Sequence, residues 1–133
     1  MSGSGMLSHF MLGTNDLPAA TAFYDKVLGA LGLNRVVEGD WAIAYACATE
    51  EGPRFWVCSP FDEKPATVGN GTHVAFLAPS RDAVDAFHRF ALESGGADEG
   101  KPGLRPHYSE NYYGAYVRDL DGNKIQAVCY AVE

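Results

Sequence analysis

The residues with the most chemical potential in this 133-residue chain are two histidines and a cluster of polar aromatics. His9 and His73 each open a short apolar run, and imidazole is the side chain that most readily ligates zinc, nickel, manganese or iron(II). The bland alternative for each is a strand histidine hydrogen-bonded to a neighbour. Between positions 100 and 111 lies a stretch rich in Gly and Pro, read as a loop or lid. Arg105, His107, Tyr108, Tyr112 and Tyr113 sit in or beside it and could close over a ligand. They would offer an anion-binding guanidinium and a general acid or base, with His107 and Tyr113 as the candidate proton-transfer groups. The alternative is a solvated polar loop. His88 falls on a helical face among charged residues and reads as a surface side chain.

What must position these groups emerges when the chain is compared with itself. His73 follows His9 by 64 positions (73 − 9), and the same shift lays Ala19 on Ala83, Ala22 on Ala86, Phe23 on Phe87, Leu28 on Leu92 and Gly32 on Gly96. Each copy reads as a strand, a turn and a helix. In the first copy, Leu7 to Leu12 is the strand, and Asp16 caps a helix with Pro18 in its first turn. In the second, His73 to Ala78 is the strand, and the helix stops at Gly95-Gly96. Strands follow the first helix at about Arg35 to Glu38, Trp41 to Ala48 and Arg54 to Ser59. Tyr112 to Arg118 and Lys124 to Tyr130 follow the second, around the hairpin signal Asp121-Gly122-Asn123. Matching the hairpins needs a shift of 70 (122 − 52), so the second copy carries about six extra residues, placed within Gly100 to Asn111. The chain therefore divides into module one at about 6–60, a linker at 61–71 and module two at about 72–133, together one domain. Met1 to Gly5 (MSGSG) reads as a flexible leader or tag.

Composition limits the partners. A net charge of −7 without basic runs argues against nucleic acid and anionic membranes, and by itself favours a cationic ligand. The first residues lack the basic start, apolar core and cleavage site of a signal peptide, and no apolar run is long enough to suggest a bilayer span. Its three cysteines, Cys47, Cys58 and Cys129, are expected to be free, so a reduced cytoplasmic setting is expected.

With Ser8-His9-Phe10, Asn15-Asp16-Leu17, Phe23-Tyr24, Gly71-Thr72-His73-Val74-Ala75-Phe76 and Asp121-Gly122-Asn123-Lys124-Ile125-Gln126, the sequence resembles the vicinal oxygen chelate superfamily of glyoxalases, bleomycin-resistance proteins and extradiol dioxygenases. The resemblance covers Leu7 to Tyr130. It implies an α+β fold of two tandem βαβββ modules forming a half-barrel cleft, and a homodimer by analogy. It also implies a divalent ion (Zn, Ni, Mn or Fe(II)) held at positions that here are His9, Trp56, His73 and Gln126. Strand alternation then puts His9, Met11, His73, Ala75, Gln126 and Val128 on the cleft side, with Phe10, Leu12, Val74, Phe76, Ile125 and Ala127 in the core. Trp56 cannot ligate, and Gln126 stands where many members have a carboxylate, which leaves His9, His73 and Gln126 as the metal set.

Two functions compete. One is a metal-dependent lyase, isomerase or dioxygenase acting on a substrate with vicinal oxygens, although true lactoylglutathione lyase activity is not expected. The other is a metal-free protein of the bleomycin-resistance type that sequesters a small aromatic or antibiotic-like ligand against Trp56, Arg105, Tyr108 and Tyr112.

Overall fold

The computed structural model describes residues 6–47 and 52–133. The leader 1–5 and the end of the third expected strand, at Ala48, lie outside them. The element order is β1 (His9–Gly13), α1 (Leu17–Gly29), β2 (Asn34–Glu38), β3 (Ala42–Ala46), β4 (Arg54–Cys58), β5 (His73–Leu77), α2 (Arg81–Glu93), β6 (Ala97–Leu104), β7 (Tyr113–Arg118) and β8 (Lys124–Cys129). They form two four-stranded mixed sheets, ordered β1-β4-β3-β2 and β5-β8-β7-β6, with no closed barrel. In each sheet the first strand pairs in parallel with the last, and the remaining pairs are antiparallel. The α+β fold of two βαβββ units is therefore present.

Local chemistry accounts for the repeated elements. Asp16 caps α1 by accepting from the Ala19 amide at 3.0 Å, and Ser80 caps α2 by accepting from Ala83 at 3.1 Å. The glycines matched by the repeat serve different ends. Gly32 has φ +84°, a left-handed conformation that closes the turn after α1. Gly96 is needed for close approach, because a Cβ there would lie 2.6 Å from the Arg118 carbonyl oxygen.

One helix covers one face of each sheet, and the helices also pack on each other. Phe23, Tyr24, Val27 and Leu28 of α1 and Val84, Phe87 and Ala91 of α2 join Ile43, Tyr45, Phe55, Val57, Val74, Phe76, Ala115, Val117, Ile125 and Ala127 in one continuous core. Phe55 and Phe76 meet edge to face at 5.0 Å, so the sheets share this core rather than having one each. The expected inward residues Phe10 and Leu12 pack at its margin.

A polar knot ties the modules together at the hairpin between β7 and β8. Buried Asp119 accepts from the Tyr24 hydroxyl at 2.5 Å, from the Asn123 amide at 2.9 Å and from Asn123 Nδ2 at 3.0 Å. Asp121 accepts from the Thr14 hydroxyl at 2.6 Å and the Asn15 amide at 2.9 Å. Burial, reinforced by Asp119, holds the Tyr24 phenol well above its ordinary range, so it stays a donor.

Two expectations are corrected. Gly100 to Leu104 is not loop but the second half of β6, and the true connection is Arg105 to Tyr112. β6 lies at the sheet edge, where Pro102 removes no interior ladder bond; the register shifts at Asp98/Gly100 and Gly100/Gly103 take up only part of the extra length, and the connection Arg105 to Tyr112 holds most of the rest. His88 is not a surface residue: it is 9% exposed, and its Nε2 bonds Asp98 Oδ1 at 2.8 Å, because β6 crosses over that side of α2.

That contact gives a pH prediction. The hydrogen bond from His88, with a second from the Gly100 amide, holds the Asp98 carboxyl below its usual value. A depressed carboxylate stabilises the fold above its unfolded pKa of about 4 and loses that contribution as pH falls through the lowered folded value. Asp98→Asn is therefore expected to be less stable than wild type at neutral pH, with the gap closing below about pH 4. Urea midpoints measured across pH check this, and a gap independent of pH would show the contribution is not ionic.

Candidate functional site

The candidate site follows from which side chains share the faces turned away from the helices. In the second sheet, register sets three rows. The first runs His73 (β5), Lys124 (β8) and Arg118 (β7), and the second runs Ala75, Gln126 and Tyr116. The third is Leu77, Val128 and Gly114. In the first sheet the matching face carries His9 beside Arg54, and Met11 beside Trp56 beside Ala44.

Gln126 is the most enclosed polar group of this face, at 1% exposure. Ala75 on one side and Gly114 diagonally across leave it room, and a Cβ on Gly114 would come 3.2 Å from its Nε2. The amide Nε2 donates to the Tyr112 hydroxyl in a very short contact. The Tyr112 ring meets Tyr108 tilted at 5.0 Å and Tyr130 edge to face at 5.4 Å, and Tyr108 meets His107 tilted at 4.3 Å. Tyr116, opposite Gln126, is ringed by His73 edge-on at 5.9 Å, the Lys124 ammonium at 5.1 Å and the Arg105 guanidinium at 5.4 Å. Burial, then the neighbouring phenols Tyr112 and Tyr108, push the Tyr116 phenol far up, so it acts as a hydrogen-bond donor and not as a base.

The site residues expected from the sequence are thus distributed unevenly. Gln126, Tyr112 and Tyr108 come together, and His73 reaches the same patch through Tyr116. His107 is exposed at the end of the aromatic row. Trp56 is half-buried on the other sheet, and His9 is exposed there with its Nδ1 2.9 Å from the Ser8 hydroxyl. Arg105 differs from the expected anion binder. Its Nη1 donates to Gly103 and Gly114 carbonyls at 2.8 and 2.6 Å, and its Nη2 to Lys101 at 2.9 Å, so it clamps the 105–112 connection. Tyr113 lies on the opposite, helix-bearing face, where its hydroxyl donates to Asp85 at 2.7 Å. That bond, then burial, pushes its phenol up to about 12, so Tyr113 itself offers no base to the cleft. Tyr116, which no sequence motif singles out, lies on this face by strand alternation with Gly114. Arg118 makes its default ion pair, with Glu99 at 3.5 Å.

The donors His9, His73 and Gln126 suit a divalent ion poorly. Two imidazoles and one amide bring no negative charge to offset a divalent ion, and His9 stands on a different sheet from His73 and Gln126. Among the described residues, no group of three or more His, Cys, Asp or Glu side chains could hold a metal. The arrangement within one chain does not fit a resident ion. All three cysteines are free, Cys58 and Cys129 being buried, and burial pushes the Cys58 thiol up, so it is an unreactive packing group. No described helix is long and apolar enough to cross a membrane.

Comparison with known proteins places this geometry. The model of the Glyoxalase/Bleomycin resistance protein/Dioxygenase superfamily matches residues 6–127. Biphenyl-2,3-diol 1,2-dioxygenase 3 of Rhodococcus globerulus is 33% identical over 132 residues, covering 95% of this chain. The chain spans 64% of that relative's length. A glyoxalase/bleomycin resistance protein from Albidiferax ferrireducens T118 superposes with TM-score 0.85 at 38% identity, over 96% of this chain and 100% of that one. The lactoylglutathione lyase of Agrobacterium tumefaciens shares the fold, with TM-score 0.67 at 22% identity over 97% and 96% of the two chains.

Proposed function

Because the chain belongs to the Glyoxalase/Bleomycin resistance protein/Dioxygenase superfamily, we propose that it binds a small aromatic molecule on the Gln126 face without a resident metal ion. The observation that carries this is the Gln126 amide, which is neutral, enclosed and already bonded to Tyr112 at the position where the resemblance implies a carboxylate. A phenol-lined floor with one buried amide suits a flat ligand that stacks on Tyr116 and exchanges one or two hydrogen bonds. The relative named for biphenyl-2,3-diol fits the same ligand class.

The cleft would be completed by a second copy. β1 and β5 each have an open edge, and their cleft-side residues Met11 and Leu77 are 48% and 72% exposed. An open edge with exposed apolar residues is a liability that pairing removes. A two-fold dimer laying β1 of one copy beside β5 of the other would bring the Trp56 face over the Gln126 face. The symmetric placement of His9 and His73 favours a second reading, in which that dimer gathers both imidazoles and Gln126 around a divalent ion.

Calorimetry of metal-free protein with catechol and biphenyl-2,3-diol tests the first reading, alongside elemental analysis and a mass measurement in solution. Saturable binding to a dimer is expected, weakened about tenfold by Tyr116→Leu through loss of one stacking contact. Binding that appears only after a transition metal is added, or a stoichiometric ion in the purified protein, would replace it with the second.

A further inference from the structure

The row His73, Lys124, Arg118 sets three cationic or cationisable side chains next to one another on three adjacent strands, all on one face. Like charges directly across a strand pair destabilise a sheet, and contact with the Tyr116 ring, at 5.1 Å for Lys124 and 5.9 Å for His73, offsets this only in part. Arg118 is partly compensated by Glu99 at 3.5 Å and by the Gly122 carbonyl at 2.9 Å. Lys124 has no carboxylate within ion-pair distance among the described residues. The three side chains line a cavity of about 410 Å³, closed on its other side by the linker Val68-Gly69-Asn70-Gly71-Thr72. Among the described residues, no acidic side chain lines it. In a chain of net charge −7, this is a local reversal of sign. Local conflicts between stability and residue choice concentrate at functional or strained sites.

We propose that this cavity is an oxyanion subsite, which receives the carboxylate or phosphate group of the ligand whose ring lies on Tyr116. The proposal rests on the aromatic-ligand reading above and adds to it a negative charge on the ligand. Lys124 joins the two parts, since its ammonium stands over Tyr116 while its side chain lines the cavity. Arg118 supplies a second charge, and the Thr72 hydroxyl, the Asn70 amide and a His73 ring nitrogen are the further donors at hand. The overall acidity of the chain suggests a cationic ligand, but the charge next to the binding face decides, because fields are screened within about 10 Å at ordinary salt.

Calorimetry of the full chain with four small probes separates the two ideas: benzoate (ring and charge), benzamide (ring alone), acetate (charge alone) and inorganic phosphate. Benzoate is expected to bind at least tenfold tighter than benzamide, and Lys124→Gln to remove most of that advantage, with benzoate losing far more affinity than benzamide. Phenyl phosphate and inorganic phosphate, compared with benzoate and acetate, decide which oxyanion is preferred. If benzoate and benzamide bind equally and both better than acetate, the subsite is overturned while the aromatic reading stands. If benzoate and acetate bind equally and both better than benzamide, the aromatic reading fails and the subsite stands. An unchanged benzoate affinity in Lys124→Gln, with the fold intact by circular dichroism, also overturns the subsite, as does failure of every probe to bind.

Discussion

Asp119→Ala is expected to cost about 3–4 kcal/mol of folding stability, close to the limit for one side chain in a chain of this size. The carboxylate is 6% exposed and accepts from the Tyr24 hydroxyl, the Asn123 amide and side chain, and the Asp121 amide, the last at 2.9 Å. Removing it strands several donors at once, and each buried donor left unmet costs about 1–3 kcal/mol before relaxation or water entry. Tyr24→Phe takes away one donor and leaves the acceptor satisfied by the others, so about 1–2 kcal/mol is expected. Because Tyr24 belongs to α1 and Asp119 to the β7–β8 hairpin, the double variant should lose less than the sum of the two single changes. Urea unfolding of the four proteins measures this directly. A cost below about 1 kcal/mol for Asp119→Ala would mean the knot is incidental to the docking of the modules.

Gln126→Glu is expected to destabilise the metal-free protein by about 2–4 kcal/mol at neutral pH, because it buries a carboxylate with the Tyr112 hydroxyl as its one evident donor. Burial raises the folded pKa of the new carboxyl above its unfolded value of about 4.3. The variant should therefore approach wild-type stability below that pH and lose ground as pH rises through and beyond it. The same substitution restores the carboxylate that a two-imidazole metal set lacks. If a dimer gathers His9, His73 and residue 126, zinc, nickel or manganese should return most of the lost stability in the variant, raise its melting temperature and leave wild type almost unmoved. A variant with no response to any of these ions would remove the metal reading for this cleft. Recovery on lowering the pH would still report the buried carboxylate.

These two side chains also show how far the sequence alone reaches. The repeat was legible because His9 on His73, Phe23 on Phe87 and Gly32 on Gly96 obey one shift, and local rules of capping and alternation then assign β1, α1, β5 and α2 almost to the residue. The faces were legible for the same reason: Phe76 and Ile125 lie in the core, whereas His73 is exposed on the other side. β6 was not, because Gly100, Pro102 and Gly103 carry no strand propensity, and an edge strand is held by its neighbour β7 and not by its own composition.

His9, His73 and Gln126 were singled out by the sequence, but their surroundings were beyond it. That Tyr112 turns back onto the Gln126 amide, that Arg105 is consumed by three carbonyls, and that Tyr113 faces α2 all depend on how the 105–112 connection closes. That closure is a matter of long-range packing, which no local pattern encodes. The charged row shows the same division. Arg118, Lys124 and His73 are scattered along the chain, and only strand register makes them neighbours. Periodicity is a local property and survives in one dimension, so the sequence determined the two modules, their faces and the histidine pair. Register and the closure of connections join residues far apart in the chain, so the tertiary structure alone decided which polar groups are spent on the fold and which remain to meet a ligand.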